Sequence, residues 1–239
     1  MESVPLPIRE LVKQVPVVLS ELGNEFVRVG IQSTDAISQR SACILLAARS
    51  TSLLLGMLPL LSPDTRDSWD VLARSFMETR DLLLTFRFND NGIRNSIKTW
   101  FHGKNDGSWK ARHKKAEDFV ARLGAGDTEL GKRWSAFSAL SHPTVHAAKQ
   151  STSLVVAWVT GRAEDYDEAM NPKFADYLAS IGSLIVATTF DCPEWIPLGC
   201  DMRRMPNVEP FRLLAAQVAD PILVNNKAIA LPSDSYRSK

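Results

Sequence analysis

The stretch Asp35-AISQRSACILLAARSTSLLLG-Met57 decides the fold. Ile37, Ile44, Leu45, Ala48, Leu53 and Leu55 recur in it at mixed three- and four-residue intervals, the period of a helix face, with Ser33 or Thr34 placed to cap its start. After a break at Pro59 to Leu61, Ser62-Pro63-Asp64 offers a capping hydroxyl, a proline tolerated in a first turn and an acid near the positive helix end. A second long helix is predicted from there to about Phe88. A tight connection makes two such helices antiparallel neighbours, the unit from which bundles are built. Asn89-Asp-Asn-Gly92 closes the hairpin with residues that accept left-handed turn geometry.

Working outward, residues 6 to 28 carry an apolar pattern broken by Pro16, which predicts two short helices or one kinked one. Ile93 to Phe101 reads as a shorter helix, leading into the loop Gly103-Lys-Asn-Asp-Gly-Ser108. Trp109 to Leu123 is basic and helical by pattern, and Asp127 or Thr128 caps a further segment through Leu140. Leu154 to Thr160 fits a strand or a buried helix equally, because short apolar β-branched runs have no deciding period. Asn171-Pro172 predicts a helix start, with Phe174, Tyr177, Leu178, Ile181, Leu184 and Ile185 on the core side of a helix to about Phe190. Prolines 193, 197, 206 and 210 then fragment the chain, leaving one short helix from Phe211 to Ala219. The expected architecture is all-α: an antiparallel helical bundle over residues 1–190 and an irregular C-terminal extension over 191–239.

At 239 residues the chain can bury roughly 70% of its unfolded surface and needs neither disulfide nor metal to fold. Cys43, Cys192 and Cys200 are odd in number and lack the spacing of a zinc or redox motif, which points to a reducing cytoplasm. Cys43 sits in an apolar pattern and reads as a small core residue. The N-terminal residues lack the charged head and apolar core of a signal peptide, and no stretch reads as long enough to cross a bilayer, Leu178 to Phe190 coming closest. A formal net charge of +1 gives no global pull toward nucleic acid or membrane. Glycine-rich dinucleotide and phosphate-loop motifs are absent, as is a Gly-x-Ser-x-Gly elbow, so dehydrogenase, nucleotidase and serine-hydrolase readings fall away.

Chemistry concentrates in Ser138-Ala-Leu-Ser141-His142-Pro143-Thr144-Val145-His146, which holds two of the four histidines. Pro143 disfavours helical geometry at His142, so a helix ends near Ser141 and another begins at Pro143. The partial positive charge of a helix N-terminus favours neutral imidazole, which accepts a proton. The plainer alternative is that Ser141 and His142 cap backbone amides while His146 packs at a helix crossing. Earlier in the chain, Asp70, Arg74 and Glu78 are spaced four apart on one helical face, beside Arg80 and Asp81. They form either a solvated ion-pair ladder or, with Arg74 and Glu78 turned inward, a site that meets His142 and His146. A metal reading with Glu78 as third ligand is weaker, since His142 and His146 lack the glutamate of a His-Glu-x-x-His helix; no metal and no cofactor is expected. Residues 87–122 form one basic region, in which Arg94, Lys98, Lys110, Arg112, Lys114 and Lys115 are candidate nucleic-acid contacts and Trp100, Phe101 and Trp109 are interleaved. Aromatics at such intervals equally fit the core side of a helix whose other side is solvated.

The helix carrying Arg74-Ser75-x-x-Glu78, followed by Ser138-x-x-Ser141-His142 and a second histidine, resembles a group of bacterial all-helical proteins related to the HEPN superfamily. The resemblance spans roughly Asp35 to Ala148. It implies a helical bundle, often dimeric, in a superfamily that includes metal-independent ribonucleases of toxin and phage-defence systems. Their hallmark is an arginine closely followed by histidine on one helix. This chain departs from it: Arg133 precedes His142 by nine positions, with Pro143 adjacent. Two functions are therefore expected: an RNA-directed defence or stress factor with Arg74, Glu78, His142 and His146 at its site, or a non-catalytic interaction or dimerisation module.

Overall fold

The computed structural model describes residues 6–31, 37–61, 66–87, 93–102, 164–191, 193 and 195–225. Its α-helices are α1 (Leu6–Arg28), α2 (Gln39–Met57), α3 (Arg66–Arg87), α4 (Ile93–Phe101), α5 (Glu164–Thr189) and α6 (Val208–Asn225), with 3-10 turns at Leu58–Leu60 and Met202–Arg204. Among the described residues there is no strand, and the helices pack on one another as an all-α bundle.

Helix α2 is the hub, packing against α1, α3, α4 and α5. It buries Ala42, Cys43, Ile44, Leu46, Ala47, Leu54 and Met57, too wide an arc for a helix with a single covered face. Its start differs from the sequence expectation: the cap is Ser38, whose Oγ accepts from the Ser41 amide at 3.0 Å, so the helix begins at Gln39 and not at Asp35. Ser33 and Thr34 lie outside the described residues. Several hydroxyls near one another offer equivalent caps, and the apolar period does not choose among them.

The α2–α3 hairpin is antiparallel. At one end Gln39 donates to the Phe86 carbonyl, and at the other Gly56 lies against Leu72, where a Cβ would stand 3.5 Å from Leu72 Cδ1. Helix α5 runs parallel to α3 and antiparallel to α2: Lys173 meets Asp70, the Ala187 carbonyl meets Arg87, and the Tyr177 hydroxyl donates to the Leu54 carbonyl. Ala175, Leu178, Ile181, Leu184 and Ile185 put α5 into the core.

Helix α1 is continuous through Pro16. Ile8, Leu11, Val15, Val18, Leu19, Leu22 and Phe26 form its buried stripe, and Pro16 sits on the exposed side, where water can satisfy the carbonyl one turn back. Burying that stripe, at roughly 2 kcal/mol per large side chain, outweighs the roughly 3 kcal/mol cost of an interior proline.

Both later helices exceed their sequence-expected bounds. α5 begins at Glu164, so Asn171-Pro172 is interior and not a start. The segment Glu164-Asp165-Tyr166-Asp167-Glu168 is rich in acids, which suit a helix N-terminus but carry no apolar period. α6 extends beyond Phe211–Ala219 at both ends, burying Val208, Phe211, Ala215 and Ala219 against α5 and α1. Glu21 of α1 caps its start by accepting from the Asn207 amide at 3.1 Å and side chain at 2.6 Å.

One helix with its following turn, Gln39–Leu60, is long and apolar enough to cross a membrane by length and composition, contrary to the sequence expectation. Its buried apolar residues are those of the hub, packed among α1, α3 and α5, while Leu55 is exposed. The segments around Trp109–Leu123, Asp127–Leu140 and Leu154–Thr160 lie outside the described residues.

Candidate functional site

Helix α3 carries charge into the bundle. Asp70, Arg80, Asp81 and Arg87 are buried, while Arg74 and Glu78 of the ladder are intermediate in exposure. Charge buried in a bundle must be paired, because an unpaired ion there costs several kcal/mol of solvation. Asp70 is ion-paired with buried Lys173 of α5, whose Nζ also lies 4.8 Å from the centre of the Trp69 ring. Arg80 is held by Asp81 through two hydrogen bonds, Nε at 2.9 Å and Nη2 at 2.6 Å.

Arg74 and Glu78 lie one and two turns along the same face as Asp70. Arg74 Nε donates to Glu78 Oε1 at 2.9 Å, and the two side chains are 20% and 21% exposed. This pair is therefore turned inward yet still reached by solvent. Arg74, Trp69, Lys173 and Asp176 each make further contacts, so the region is densely partnered. A partly exposed guanidinium steadied by a carboxylate can present its planar fork to a phosphate. His142 and His146, the other expected members of the site, lie outside the described residues.

In the basic region, Arg94 and Lys98 are exposed on α4, opposite buried Ile93 and Ile97. Trp100 packs edge-on against Phe86 at 5.9 Å and Phe101 at 5.1 Å, which makes it a core-side aromatic. Lys110, Arg112, Lys114 and Lys115 lie outside the described residues.

Arg87, read from sequence as the start of the basic region, has no solvent exposure. It donates to the carbonyls of Ala187 at 2.6 Å, Phe190 at 2.9 Å and Ile196 at 3.1 Å, pairs with Asp191, and stacks 5.1 Å from the Trp195 ring. Burial pushes its guanidinium below the usual arginine value, and Asp191 opposes that shift. It ties the C-terminal carbonyls of α5 to the end of α3. Cys43, packed nearby in α2, is driven by burial to a pKa of about 12, and Cys200 to about 11, so both remain protonated thiols near neutrality.

Sequence reading does not single out Lys173, although a signal is present. Lys173 stands four residues before Tyr177 and eight before Ile181, in line with the apolar stripe of α5. Among the described residues, no group of three histidines, cysteines or acids is placed to hold a metal.

No family model matches the chain, and neither curated proteins nor solved structures yield a match to it.

Proposed function

We propose that this chain is a HEPN-like bacterial cytoplasmic protein acting on RNA in defence or stress, with its site at Arg74 and Glu78. The observation that carries this reading is the Arg74–Glu78 pair itself: aligned on α3, drawn inward, and still open to solvent. A pair serving only as a surface ladder gains little from being drawn inward.

In this reading Arg74 binds a phosphodiester and stabilises the charge that grows on it, while Glu78 holds the guanidinium plane. One of His142 and His146, neutral in this reading, withdraws the proton from the attacking 2′-hydroxyl as the P–O5′ bond breaks to leave a 2′,3′-cyclic phosphate. Water or the second histidine, protonated, gives the departing 5′-oxygen its proton. RNA offers that hydroxyl at its 2′ position, so no metal is needed to generate the nucleophile. Arg94 and Lys98, with Lys110, Arg112, Lys114 and Lys115, guide the strand, and the active form is a homodimer.

The test is cleavage of single-stranded RNA at several pH values by wild type, Arg74→Ala and His142→Ala. Wild-type cleavage lost in both variants supports the reading. Absent wild-type cleavage, or unchanged cleavage in the variants, refutes it.

A second reading, a non-catalytic interaction or dimerisation module, draws on a different observation. Arg80 and Arg87 of α3 serve the bundle itself, Arg80 through Asp81 and Arg87 through three carbonyls. Under this reading light scattering shows a dimer while the wild type cuts no RNA; a monomer refutes it.

A further inference from the structure

The segment after α5 crosses the end of the bundle where α1 finishes, α2 begins and α3 finishes, and it gathers arginines. Arg28 of α1 donates to the Gly199 carbonyl, and Arg40 of α2 reaches the Leu198 carbonyl at 3.3 Å and the Val29 carbonyl at 3.5 Å. Gly199 fits between them with φ +80°; a Cβ there would meet the Arg40 guanidinium at 3.3 Å. Arg203 and Arg204 follow on the adjoining 3-10 turn, both exposed.

Among the described residues, charge at this face is unbalanced. Glu25 pairs with Arg28, and Asp201 pairs with Arg203. Arg40 and Arg204 have no carboxylate partner among the described residues, which leaves two positive charges over. Arg204 is near enough to help depress both Glu25 and Asp201. Nor does helix stability explain Arg40: it stands in the first turn of α2, which has no acid, where a cation opposes the helix dipole. Its two carbonyl contacts are long and correspondingly weak.

The same segment carries an aromatic surface. Phe190 is 56% exposed, braced edge-on by Trp195 at 6.3 Å, and Trp195 is in turn stacked by Arg87. An exposed ring on the same connecting segment as Arg204, and as the Leu198 carbonyl that Arg40 reaches, joins the two elements that hold a single strand: cations for phosphates and a ring for a base. An acidic peptide would use the charges and leave the ring without a role.

We propose that this end of the bundle is a docking surface for single-stranded RNA, with phosphates on Arg40 and Arg204, flanked by Arg28 and Arg203, and a base stacked on Phe190. It goes beyond the Arg74 site. Thirteen residues of α3 separate Arg74 from Arg87, a helical distance of about 20 Å. A strand held here is anchored away from the reacting phosphate.

Fluorescence anisotropy with the full chain and a labelled single-stranded RNA of about 16 nucleotides tests this. Arg40→Glu/Arg204→Glu should weaken binding at least about tenfold and reduce the salt slope by about 1.4, which is about 0.7 for each of two phosphates no longer neutralised. Phe190→Ala should weaken it about tenfold with the slope unchanged. Circular dichroism checks folding, and Arg204→Glu alone leaves every ion pair among the described residues in place. Unchanged affinity in these variants overturns the proposal, as does equal competition by duplex RNA or polyglutamate. Binding abolished in the variants while wild type cleaves nothing leaves this surface standing and removes the Arg74 reading; cleavage with unaltered variant binding does the reverse.

Discussion

Replacing Arg87 with methionine should be among the most destabilising single changes in the protein. The methionine retains much of the buried volume but leaves the carbonyls of Ala187, Phe190 and Ile196 without their charged donor. At about 1.5 kcal/mol for each hydrogen bond to a charged group, three amount to about 4.5 kcal/mol. The Asp191 pair adds little, since that carboxylate is 37% exposed. Apolar burial of the methionine offsets a fraction, leaving about 3–4 kcal/mol, within the range for breaking a buried charged network. At about 2–4 °C per kcal/mol for a chain of this size, the midpoint should fall by roughly 6–16 °C. Arg87→Lys keeps the charge but not the planar fork, so it should recover less than half of the loss. Asp191→Asn leaves the buried guanidinium with its three carbonyl acceptors but no counter-charge, so it should cost about 1–2 kcal/mol, more than a surface pair and less than Arg87→Met. Urea and thermal unfolding followed by far-ultraviolet circular dichroism measure all three. A loss below about 1 kcal/mol for Arg87→Met, or equal losses for Arg87→Met and Asp191→Asn, would show that Arg87 is not the tie between α3 and α5.

Other perturbations have equally definite outcomes. Lys173→Met should cost about 3–5 kcal/mol by leaving Asp70 buried without its ammonium, and Asp70→Leu/Lys173→Met should regain most of it; a double variant as unstable as the single in urea unfolding would rule out an ion-pair origin. Glu25 is held below its ordinary 4.5 chiefly by its hydrogen bond to Arg28. It therefore contributes stability above pH 4.5 that disappears as pH falls through the lowered value, and Glu25→Gln should flatten that acid limb of the unfolding free energy. In a Cys192→Ser background, a thiol reagent at neutral pH should leave Cys43 unmodified until urea unfolds the chain, because its thiol ionises only near pH 12; modification at the rate of a free thiol would contradict its burial.

What can be read from the sequence depends on whether a residue's role is periodic. The bounds of α4 are legible because Ile93 and Ile97 repeat at the helical interval and are buried. Of the residues read as one apolar face of α2, by contrast, only Ile44 is buried and Ile37 and Leu55 are exposed, since several partners cover that helix on a different arc. Helix ends are less so. Ser38 caps α2 although Ser33 and Thr34 offer the same chemistry, and the first turns of α5 are acidic rather than apolar. Prolines at 16 and 172 look like breaks because their local cost is visible in sequence, whereas the core burial that overrides it is not.

Charges are the hardest to place, and for one physical reason. A lysine or arginine on an apolar stripe is ambiguous until its partner is known, and the partners here are remote: Asp70 and Lys173 lie 103 positions apart, Arg87 and the Ala187 carbonyl 100. By sequence Arg87 therefore groups with the basic residues that follow it, although its neighbours Leu83 and Leu84 already place it on the buried side of α3. The same criterion separates the remaining cations. Arg80, Arg87 and Lys173 are fully engaged inside the bundle, Arg74 is engaged and partly open, and Arg40 and Arg204 lack a carboxylate among the described residues. That order runs from scaffold to surface, so a search for RNA contacts by mutation should begin with Arg40 and Arg204, continue to Arg74, and treat Arg87 as a stability control. If Arg87→Lys weakened RNA binding while leaving the unfolding midpoint unchanged, this ordering of the cations would be inverted.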